Sequence, residues 1–457
     1  MRKVRFVISM MKRIFLFLTI ISAMVACSED DSFTTSTSAL LTFSTDTIKV
    51  DTVFSTIGSR MYDFWVYNTN KEGIRLKTVR LRNGNQSGFR VNVDGSYLDN
   101  SLGSVVTDLE IRKGDSLRVF VELTAPENKS ASPILLEDDI LFSLESGVIQ
   151  KVSLQAVSWD AEIKRDLVIK RDTTIESSMP IIIYGGLKVD SSAVLTIKNT
   201  TLYFHDGAGV DVYGTLLADH VVFRGDRLDH MFDYLPYDRV SGQWKGIRLH
   251  SSSTNNIILD SEIRNAVNGL KCDSAAYNRN DRRIYMERTV VHNNKGHGVE
   301  LFNAYAEFLK CQFTNSLGDC FSVHGGLTLV DSCTLGQFYP FTGGRGVALR
   351  FTNYYEDYAY PLVGLQMTNS IVTGYDEDVV MGESNDSTVA YGFYFENTLL
   401  RTPEIKDSLQ QTFVNIKWET PKDSILGKQH FVLIDEENLK YDFHLDSLST
   451  AHGMGCY

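Results

Sequence analysis

Several patterns that mark common enzyme classes are missing from this 457-residue sequence. Its ten histidines include no HxH or HExxH spacing, so zinc has no support. It has no glycine-rich phosphate loop and no nucleophile elbow. Between residues 200 and 402, no stretch of ten or more residues keeps a 3.6-residue apolar period. Crossover helices are therefore not expected, and an α/β barrel is disfavoured.

Basic residues and paired cysteines are also scarce. The chain has 45 basic and 57 acidic residues, and five of the basic ones lie in the first 26 residues, which contain no acid. Without that leader the net charge is −17. Nucleic acid is not an expected partner, because binding it needs a basic face. There is no CxxC pair, and five cysteines remain once a leader cysteine is lipidated.

The sequence does contain one phrase repeated eight times: a polar residue, a small or hydroxylated residue, any residue, and an apolar one. We call the second position the slot. The slot residues are Thr200, Val221, Ser261, Thr289, Cys311, Cys333, Ser370 and Thr398. Successive slots lie 21, 40, 28, 22, 22, 37 and 28 residues apart, and the 40 is close to two coils. A period in the low twenties with alternating side chains predicts a solenoid of strands.

The residues after the slots predict how the coils stack. Amides follow four of them, at Asn265, Asn293, Asn315 and Gln337. Coils spaced ~4.8 Å apart would let each amide bond to its neighbours above and below. Glycines at 269, 296, 298 and 318 are expected to supply positive φ at tight corners. Cys311 and Cys333 fall one coil apart, within disulfide range, although buried thiols in a small-residue position are the favoured interpretation.

A series of hairpin-linked sandwiches is the alternative all-β architecture, but sandwiches rarely keep one ladder through seven spacings. Residues from about 165 to 450 resemble the right-handed parallel β-helix proteins of the pectin-lyase-like group. The phrase Gly242-Gln243-Trp244-Lys245-Gly246-Ile247 is similar to a coil-opening motif of such bacterial lipoproteins. The fold class expected is all-β, an N-terminal β-sandwich followed by a right-handed parallel β-helix solenoid over residues 163–457.

Residues 40–162 have a different pattern. Apolar residues alternate with polar ones along 117–123 and 152–156, and turn signals recur at Asn83-Gly84, Asp94-Gly95 and Ser146-Gly147. This predicts an antiparallel sandwich of immunoglobulin-like size. The segment from Asp46 to Asn68 resembles the immunoglobulin-like domains that precede β-helices. A spacer or cap for the solenoid is the favoured role, and a carbohydrate-binding module is the second.

The first residues predict a cellular address. Residues 1–26 combine a basic start with an apolar run, which indicates a signal peptide that begins at Met1 or Met11. Cys27 follows small residues, so we expect its lipidation, with residues 27–39 as a tether; a plain secretory signal is the alternative. The acidic run after Cys27 resembles the export signal of Bacteroidota surface lipoproteins. It implies lipid anchoring in the outer membrane, facing the cell exterior.

Chemistry is expected on the second strand of each coil, whose outward residues form two columns. The first holds Arg248, Lys271, Glu300, Ser322 and Ala348, and the second holds His250, Asp273, Phe302, His324 and Arg350. The candidate catalytic residues are Lys271, Asp273, Glu300, His324 and Arg350. Such groups on one flat face suit proton abstraction from an acidic sugar or glycoside hydrolysis. An ordinary solvated face is the simpler interpretation.

Insertions at 226–242, 273–283 and 337–361 carry many aromatic residues, which stack well on sugar rings. The candidate ligand-binding residues are Tyr354, Tyr355, Tyr358, Asp226, Arg227 and His250. These rings equally suit packing of the loops onto the coil. Residues 376–378 are acidic enough to suggest calcium, but such runs are usually solvated, so no cofactor or metal is expected.

Two functions follow from these patterns. The first is a surface lipoprotein whose β-helix binds a polysaccharide or another surface protein without catalysis. The second is a polysaccharide lyase or glycoside hydrolase that acts on the outward columns. Fold alone does not decide between them.

Overall fold

The structure is a computed structural model that describes residues 32–405 and 411–457. The predicted signal peptide and the lipidation site Cys27 lie outside the described residues. The chain forms two compact units. The first holds the described residues up to Glu127 together with Ile134–Ser158, and the second holds Asn128–Pro133 with Trp159–Tyr457. No helix of the described residues is long and apolar enough to span a membrane.

The first unit is a sandwich of two five-stranded sheets. Its strands are β1 (Thr42–Phe43), β2 (Thr47–Phe54), β3 (Tyr62–Tyr67), β4 (Ile74–Leu81), β5 (Phe89–Val93), β6 (Ser96–Tyr97), β7 (Val105–Ile111), β8 (Ser116–Leu123), β9 (Ile134–Leu144) and β10 (Ile149–Trp159), with a 3₁₀ turn at Asn100–Leu102. The sheet orders are β1-β3-β8-β5-β6 and β2-β10-β9-β4-β7. Alternate residues of both sheets, such as Val119 and Leu154, are fully buried in one shared core.

The end of the predicted tether lies against this sandwich. Phe33 forms a parallel bridge with Gly73, and the Arg75 guanidinium sits 4.3 Å from the Phe33 ring centroid. Ala39 and Leu41 are buried in the sandwich core. Residues 32–39 therefore pack on the domain, because the apolar Phe33 and Ala39 find partners there.

The second unit has thirty strands among its described residues, and most of them are parallel. They are β11 (Glu162–Ile169), β12 (Thr173–Glu176), β13 (Ile181–Val189), β14 (Val194–Phe204), β15 (Val210–Val212), β16 (Thr215–Gly225), β17 (His230–Phe232), β18 (Leu235–Pro236), β19 (Ile247–Leu249), β20 (Asn256–Leu259), β21 (Glu262–Arg264), β22 (Leu270–Cys272), β23 (Ile284–Glu287), β24 (Val290–Asn294), β25 (Val299–Leu309), β26 (Gln312–Ser316), β27 (Phe321–Asp331), β28 (Thr334–Gln337), β29 (Leu349–Thr352), β30 (Tyr354–Tyr355), β31 (Tyr358–Ala359), β32 (Leu362–Thr368), β33 (Ile371–Gly374), β34 (Val380–Glu383), β35 (Tyr391–Glu396), β36 (Leu399–Leu400), β37 (Phe413–Val414), β38 (Lys417–Trp418), β39 (Phe431–Asp435) and β40 (Lys440–Leu445). Short 3₁₀ turns occur at Tyr237–Arg239 and Gly427–His430. The pairs β17–β18, β30–β31 and β39–β40 are antiparallel hairpins outside the coils.

Each coil contributes one strand to each of three parallel ladders, so this unit is a parallel β-helix. The first ladder, which carries the slots, runs through the start of β13, the ends of β14 and β16, and β21, β24, β26, β28, β33, β36 and β38. The second runs through the ends of β11 and β13, β15, β19, β22, the starts of β25 and β27, β29 and β34. The third comprises β12, the starts of β14 and β16, β20, β23, the ends of β25 and β27, β32, β35 and β37.

The register confirms the repeat. The apolar residues two places after the slots pair in one unbroken column and are all fully buried: Leu202, Phe223, Ile263, Val291, Phe313, Leu335, Val372 and Leu400. The 40-residue spacing is one coil and not two, since Val222 pairs directly with Glu262. The extra length is the long loop that follows β16.

Slot chemistry explains the preference for small polar residues. The Val221 amide donates to Ser261 Oγ of the next coil at 3.0 Å, and the Cys333 amide donates to Ser370 Oγ at 3.0 Å. The residue before each slot has a left-handed φ between 46° and 56°, as at Asn199 and Asp260. A bend at this residue leads the chain from the third ladder into the first. The bend leaves the slot amide without a carbonyl partner, and the slot hydroxyl of the next coil accepts its hydrogen bond.

The corner amides stack only in part. Asn293 Nδ2 donates to Asn265 Oδ1 at 2.9 Å, as predicted. Gln337 Nε2 instead donates to the carbonyl of Ser316 at 2.8 Å, so the stack of side-chain amides does not extend to Gln337. The glycines at 269, 296, 298 and 318 do not take positive φ, contrary to prediction. They permit close approach of coils, since a Cβ at Gly298 would lie 2.4 Å from a backbone oxygen of the next coil.

Cys311 and Cys333 are free, buried thiols that stack one coil apart. The Cys311 amide donates to Cys333 Sγ at 3.3 Å, so the thiol fills the place of a slot hydroxyl. The two cysteines therefore fill small-residue positions as buried thiols, which is the interpretation favoured from the sequence.

Residues 419–457, which we call the strap, follow the last ladder strand and lie on the outer face of the first ladder. Strap residues Phe431, Phe443 and Met454 pack on Phe338 and Ile371 of the coils. The chain end also contacts this face, where Tyr457 Oη donates to Gln312 Oε1 at 2.9 Å. The strap therefore covers a side of the solenoid.

Candidate functional site

The second ladder carries the predicted columns on its outward face. In coil order the first column contains Arg248, Lys271, Glu300, Ser322 and Arg350. The predicted place of Arg350 in the second column is wrong, and Thr352 pairs with His324 instead. The inward residues of β29 are Leu349 and Phe351, so this strand starts two residues later than the sequence alignment assumed.

Every candidate cation of these columns is paired with an acid. Lys271 Nζ lies 3.0 Å from Glu300 Oε2, and the Glu300 side chain is only 5% exposed. Arg248 Nε donates to Asp273 Oδ2 at 2.8 Å. Lys271 and Glu300 are equivalent outward residues of neighbouring coils, which parallel pairing puts side by side, whereas Arg248 reaches diagonally from the first column to Asp273 in the second.

His250 belongs to the same surface. Its Nε2 lies 2.7 Å from Asp211 Oδ1, its Nδ1 lies 3.5 Å from Asp273 Oδ2, and its ring stacks on Tyr213 with centroids 3.9 Å apart. The imidazole is thus held between two carboxylates and one ring.

Asp319 is a second buried acid of the site, and the sequence analysis missed it. Arg350 Nε donates to Asp319 Oδ2 at 2.6 Å, Ser322 Oγ donates to the same oxygen at 3.1 Å, and the Val347 amide donates to Oδ1 at 2.9 Å. Burial alone would raise the pKa of Asp319, but the Arg350 and Val347 hydrogen bonds outweigh it and lower the pKa. Asp319 therefore stays ionised.

His297 lies between the two buried carboxylates. Its Nε2 is 3.8 Å from Glu300 Oε1, and its Nδ1 is 3.8 Å from Asp319 Oδ2. Both His297 and Asp319 sit at corners, next to glycines 296, 298 and 318, whereas the predicted columns contain strand positions only. Polar residues beside repeated corner glycines were the signal available in the sequence.

His324 is enclosed and has a defined tautomer. The Thr352 hydroxyl donates to the Tyr354 carbonyl at 2.5 Å, so its oxygen accepts from His324 Nδ1 at 2.9 Å. The ring stacks on Phe302 with centroids 5.0 Å apart and meets the Tyr355 ring edge-on at 4.9 Å. Burial is the main reason that the pKa of His324 falls to about 4, so the imidazole is neutral at pH 7.

The β30–β31 hairpin, which we call the tyrosine hairpin, borders this face. Tyr355 packs edge-on against Phe302 at 4.8 Å, and Tyr354 Oη donates to Glu383 Oε2 at 3.0 Å. Tyr358 is 65% exposed at the turn side. One candidate tyrosine therefore packs on the coil, one is tied by a hydrogen bond, and one is open to solvent.

Asp226 and Arg227 are not brought to the tyrosine hairpin. They follow the first-ladder end of β16 and so precede the second ladder, whereas the hairpin follows it. Parallel strands place these positions at opposite edges of the ladder. Asp226 Oδ2 bonds His205 Nδ1 at 2.7 Å, and both Arg227 Nε and Nη2 donate to Asp229.

Metal ligation has little geometric basis among the described residues. The side chains of Asp219, His220 and Asp260 offer ligand atoms within 4.8 Å of one another. Arg288 donates to both oxygens of Asp260, at 2.6 and 2.8 Å, which already neutralises that carboxylate. In the acidic run at 376–378, Asp376 lies 3.4 Å from Arg345.

Comparison with known proteins finds one family model that matches part of the chain. Residues 167–335 match the family model described as the right handed beta helix region. No curated protein matches the chain.

Solved structures resemble the chain only weakly. One is the catalytic unit of a thermostable GH87 alpha-1,3-glucanase from Streptomyces thermodiastaticus, with 12% identity, a TM-score of 0.31, and coverage of 78% of this chain and 89% of that one. A family 123 glycoside hydrolase from Clostridium perfringens has 9% identity and a TM-score of 0.18 over 26% of this chain, which spans only 25% of that protein. A PapD-like domain of human CEP192 has 12% identity and a TM-score of 0.18, with coverage of 27% and 88%. Likenesses at this level carry no inference about activity.

Proposed function

We propose that the outward face of the second ladder, together with the tyrosine hairpin, binds a glycan without cleaving it. The observation that carries this proposal is the pairing of the carboxylates on the face, as Glu300 pairs with Lys271 and Asp319 with Arg350. Fixed ion pairs present oriented donors and acceptors to sugar hydroxyls. A general acid for glycoside cleavage needs a raised pKa, whereas the pKa of Asp319 is lowered.

Aromatic rings beside the ion pairs support the same function. Tyr358 offers an exposed ring, and the Tyr360 ring lies 6.5 Å from it at an angle of 22°. Phe302 supports the Lys271 ammonium, whose Nζ lies 4.8 Å from the ring centroid. An apolar sugar face can stack on such rings while its hydroxyls reach the charged rows.

Catalysis is the second candidate function, and one observation favours it. His297 lies 3.8 Å from each of two carboxylates, Glu300 and Asp319, which are almost fully buried. Buried ionisable groups with specific charged neighbours in a cleft are candidates for functional sites. In that case His297 or Glu300 would move the proton.

One experiment tests both functions. The mature chain is incubated with acidic and neutral polysaccharides, and binding and new reducing or unsaturated ends are both measured. We expect binding without product, and we expect Tyr358→Ala to weaken it several-fold because a stacking ring is lost. Tyr97→Ala is the matched control, since Tyr97 is also exposed but lies in the sandwich.

Equal binding by wild type and Tyr358→Ala would argue against the hairpin as a binding element. If the wild type forms product and Glu300→Gln does not, the face is catalytic and the proposal of binding without cleavage is wrong.

We further propose that the protein is anchored in the outer membrane by lipid on Cys27 and faces the exterior. Full-length protein should enter the detergent phase on Triton X-114 partition, and Cys27→Ser should stay in the aqueous phase. Protease added to intact cells should then remove the wild-type protein. Survival of the protein under that treatment would contradict an exterior location.

A further inference from the structure

A cluster of arginines lies at the outer face of the first ladder, away from the tyrosine hairpin. Arg224 Nη1 lies 2.9 Å from Asp238 Oδ1, and Arg264 Nη2 lies 3.3 Å from the same oxygen. Arg239 is the next residue after Asp238, in the 3₁₀ turn of the long loop. Arg264 also contacts Glu262, at 3.3 Å. The Arg224 and Arg264 guanidinium groups therefore face two carboxylates, and Arg239 adds a positive charge that acts on His292 and Tyr441.

The strap closes one side of this cluster. Arg264 pairs in register with His292 of the next coil. The His292 ring lies 5.3 Å from the Tyr441 ring and meets it edge-on. His292 Nδ1 is bonded to Thr314 Oγ1 at 2.8 Å, and burial lowers the pKa of His292 to about 3, so this ring adds no charge at pH 7. Tyr441 thus approaches the arginines from the strap.

Two donors of this cluster, Arg264 Nε and Tyr441 Oη, are buried and have no hydrogen-bond partner within the described chain. Asp238 Oδ1 also has no hydrogen-bond partner among these residues, although it lies within ion-pair distance of Arg224 and Arg264. Arg239 is close enough for its charge to act on both His292 and Tyr441. A buried donor without a partner costs about 1–3 kcal/mol, so unpaired donors that converge are a reason to expect a ligand.

Nearby acids do not supply the missing acceptors. Glu436 is engaged by Lys428 Nζ at 3.3 Å and by the Tyr375 hydroxyl. Asp435 accepts hydrogen bonds from the Asn438 amide and side chain, at 3.0 and 2.8 Å. The oxygens of the strap acids are thus engaged by these partners, although both charges also act on Tyr441.

We propose that Arg239, Arg264 and Tyr441 form a binding site for an oxyanion, the carboxylate or sulfate group of a small ligand or of a glycan. Guanidinium groups match the paired oxygens of such anions, and the Tyr441 hydroxyl donates a further hydrogen bond. This site lies on a different ladder from the glycan face and does not depend on that function.

The test titrates the mature chain with sodium sulfate and sodium acetate against sodium chloride at constant ionic strength, by calorimetry and thermal shift. Saturable sulfate or acetate binding is expected. Arg239→Ala should weaken it about tenfold or more, since one charged hydrogen-bonding group is lost. Tyr441→Phe should keep or raise the melting temperature of the free protein, because it removes a buried hydroxyl that has no partner within the described chain, and it should weaken binding several-fold. Arg171→Ala, an exposed arginine of the same unit, is the control for general charge.

A sulfated oligosaccharide forms the second arm and distinguishes a glycan group from a free anion. Tighter binding of the oligosaccharide than of sulfate, reduced in Arg239→Ala, supports a glycan-borne group, and equal binding supports a free anion. The proposal is overturned if wild type binds no more sulfate or acetate than chloride, or if Arg239→Ala and Tyr441→Phe both bind as wild type does. Tyr358→Ala should leave anion binding unchanged, so failure of the glycan function is seen separately.

Discussion

Replacing Glu419 with alanine should release the strap from the β-helix. The Glu419 side chain is 2% exposed and accepts from the Arg401 guanidinium, from the Gly427 amide at 2.5 Å and from Thr373 Oγ1 at 2.8 Å. His430 Nε2 lies 3.4 Å away. The acid therefore joins the last coils to the start of the strap through a buried network.

The magnitude follows from what remains after the change. Arg401, whose side chain is 6% exposed, would keep a buried charge without its carboxylate. Loss of one partner of a buried pair costs about 3–5 kcal/mol. The equilibrium constant for opening of the strap should increase about 100-fold or more, since each 1.4 kcal/mol changes it about tenfold.

Hydrogen exchange followed by mass spectrometry measures this opening. Amides of β39 and β40 should exchange faster in Glu419→Ala, while amides of β19 and β22, which belong to the second ladder, should not change. Lys428→Ala is the matched control, because its pair with Glu436 is on the same strap but Lys428 is 52% exposed. That change should cost at most about 1 kcal/mol. Equal exchange in Glu419→Ala and wild type would refute the reasoning.

The same network predicts a pH dependence. Burial opposes ionisation of Glu419, but hydrogen bonds from His430, Gly427 and Thr373 outweigh it and lower its pKa. A carboxylate with a lowered folded pKa stabilises the strap above its unfolded pKa of about 4.3, and the stabilisation is lost as pH falls through the folded pKa. Strap exchange in wild type should therefore accelerate below about pH 4, and Glu419→Ala should lack this step.

Two further predictions concern the solenoid. Gly298→Ala should lower the free energy of unfolding of the solenoid in urea by about 1–3 kcal/mol, because the new Cβ would lie 2.4 Å from the Cys320 backbone oxygen. Gly343→Ala is the control and should be neutral, since a Cβ there would have no atom within 4 Å. Equal unfolding midpoints for the two variants would contradict the close-approach argument. The pKa of His324 is lowered to about 4 in the folded protein, so the unfolded chain takes up a proton on this imidazole at higher pH than the folded chain does. The melting temperature should therefore fall as pH drops from about 6.5 towards 4, and His324→Phe should flatten that slope. An unchanged slope in His324→Phe would show that another group causes the pH dependence.

Much of the candidate surface could be predicted from the sequence. The pairing of Lys271 with Glu300 could be predicted despite the insertion at 273–283, because inward apolar residues mark both strands and alternation gives one face per strand. Arg350 was placed in the wrong column because the loop before β29 interrupts the period, and no pattern within that loop marks where the strand resumes. Corner residues such as Asp319 escaped notice because alternation says nothing about residues between strands.

The pattern of the chain alone determined the all-β architecture, the order of sandwich and parallel β-helix, and the identity of the inward stack. These are repeated, local properties, since an apolar residue two places after each slot needs only strand geometry to face inward. Tertiary structure alone decided which charges meet. The Arg401–Glu419 pair, the His297 cluster and the unpaired donors near Tyr441 join residues from different corners, loops and the strap. Their distances depend on loop paths and burial, and neither leaves a period in the sequence.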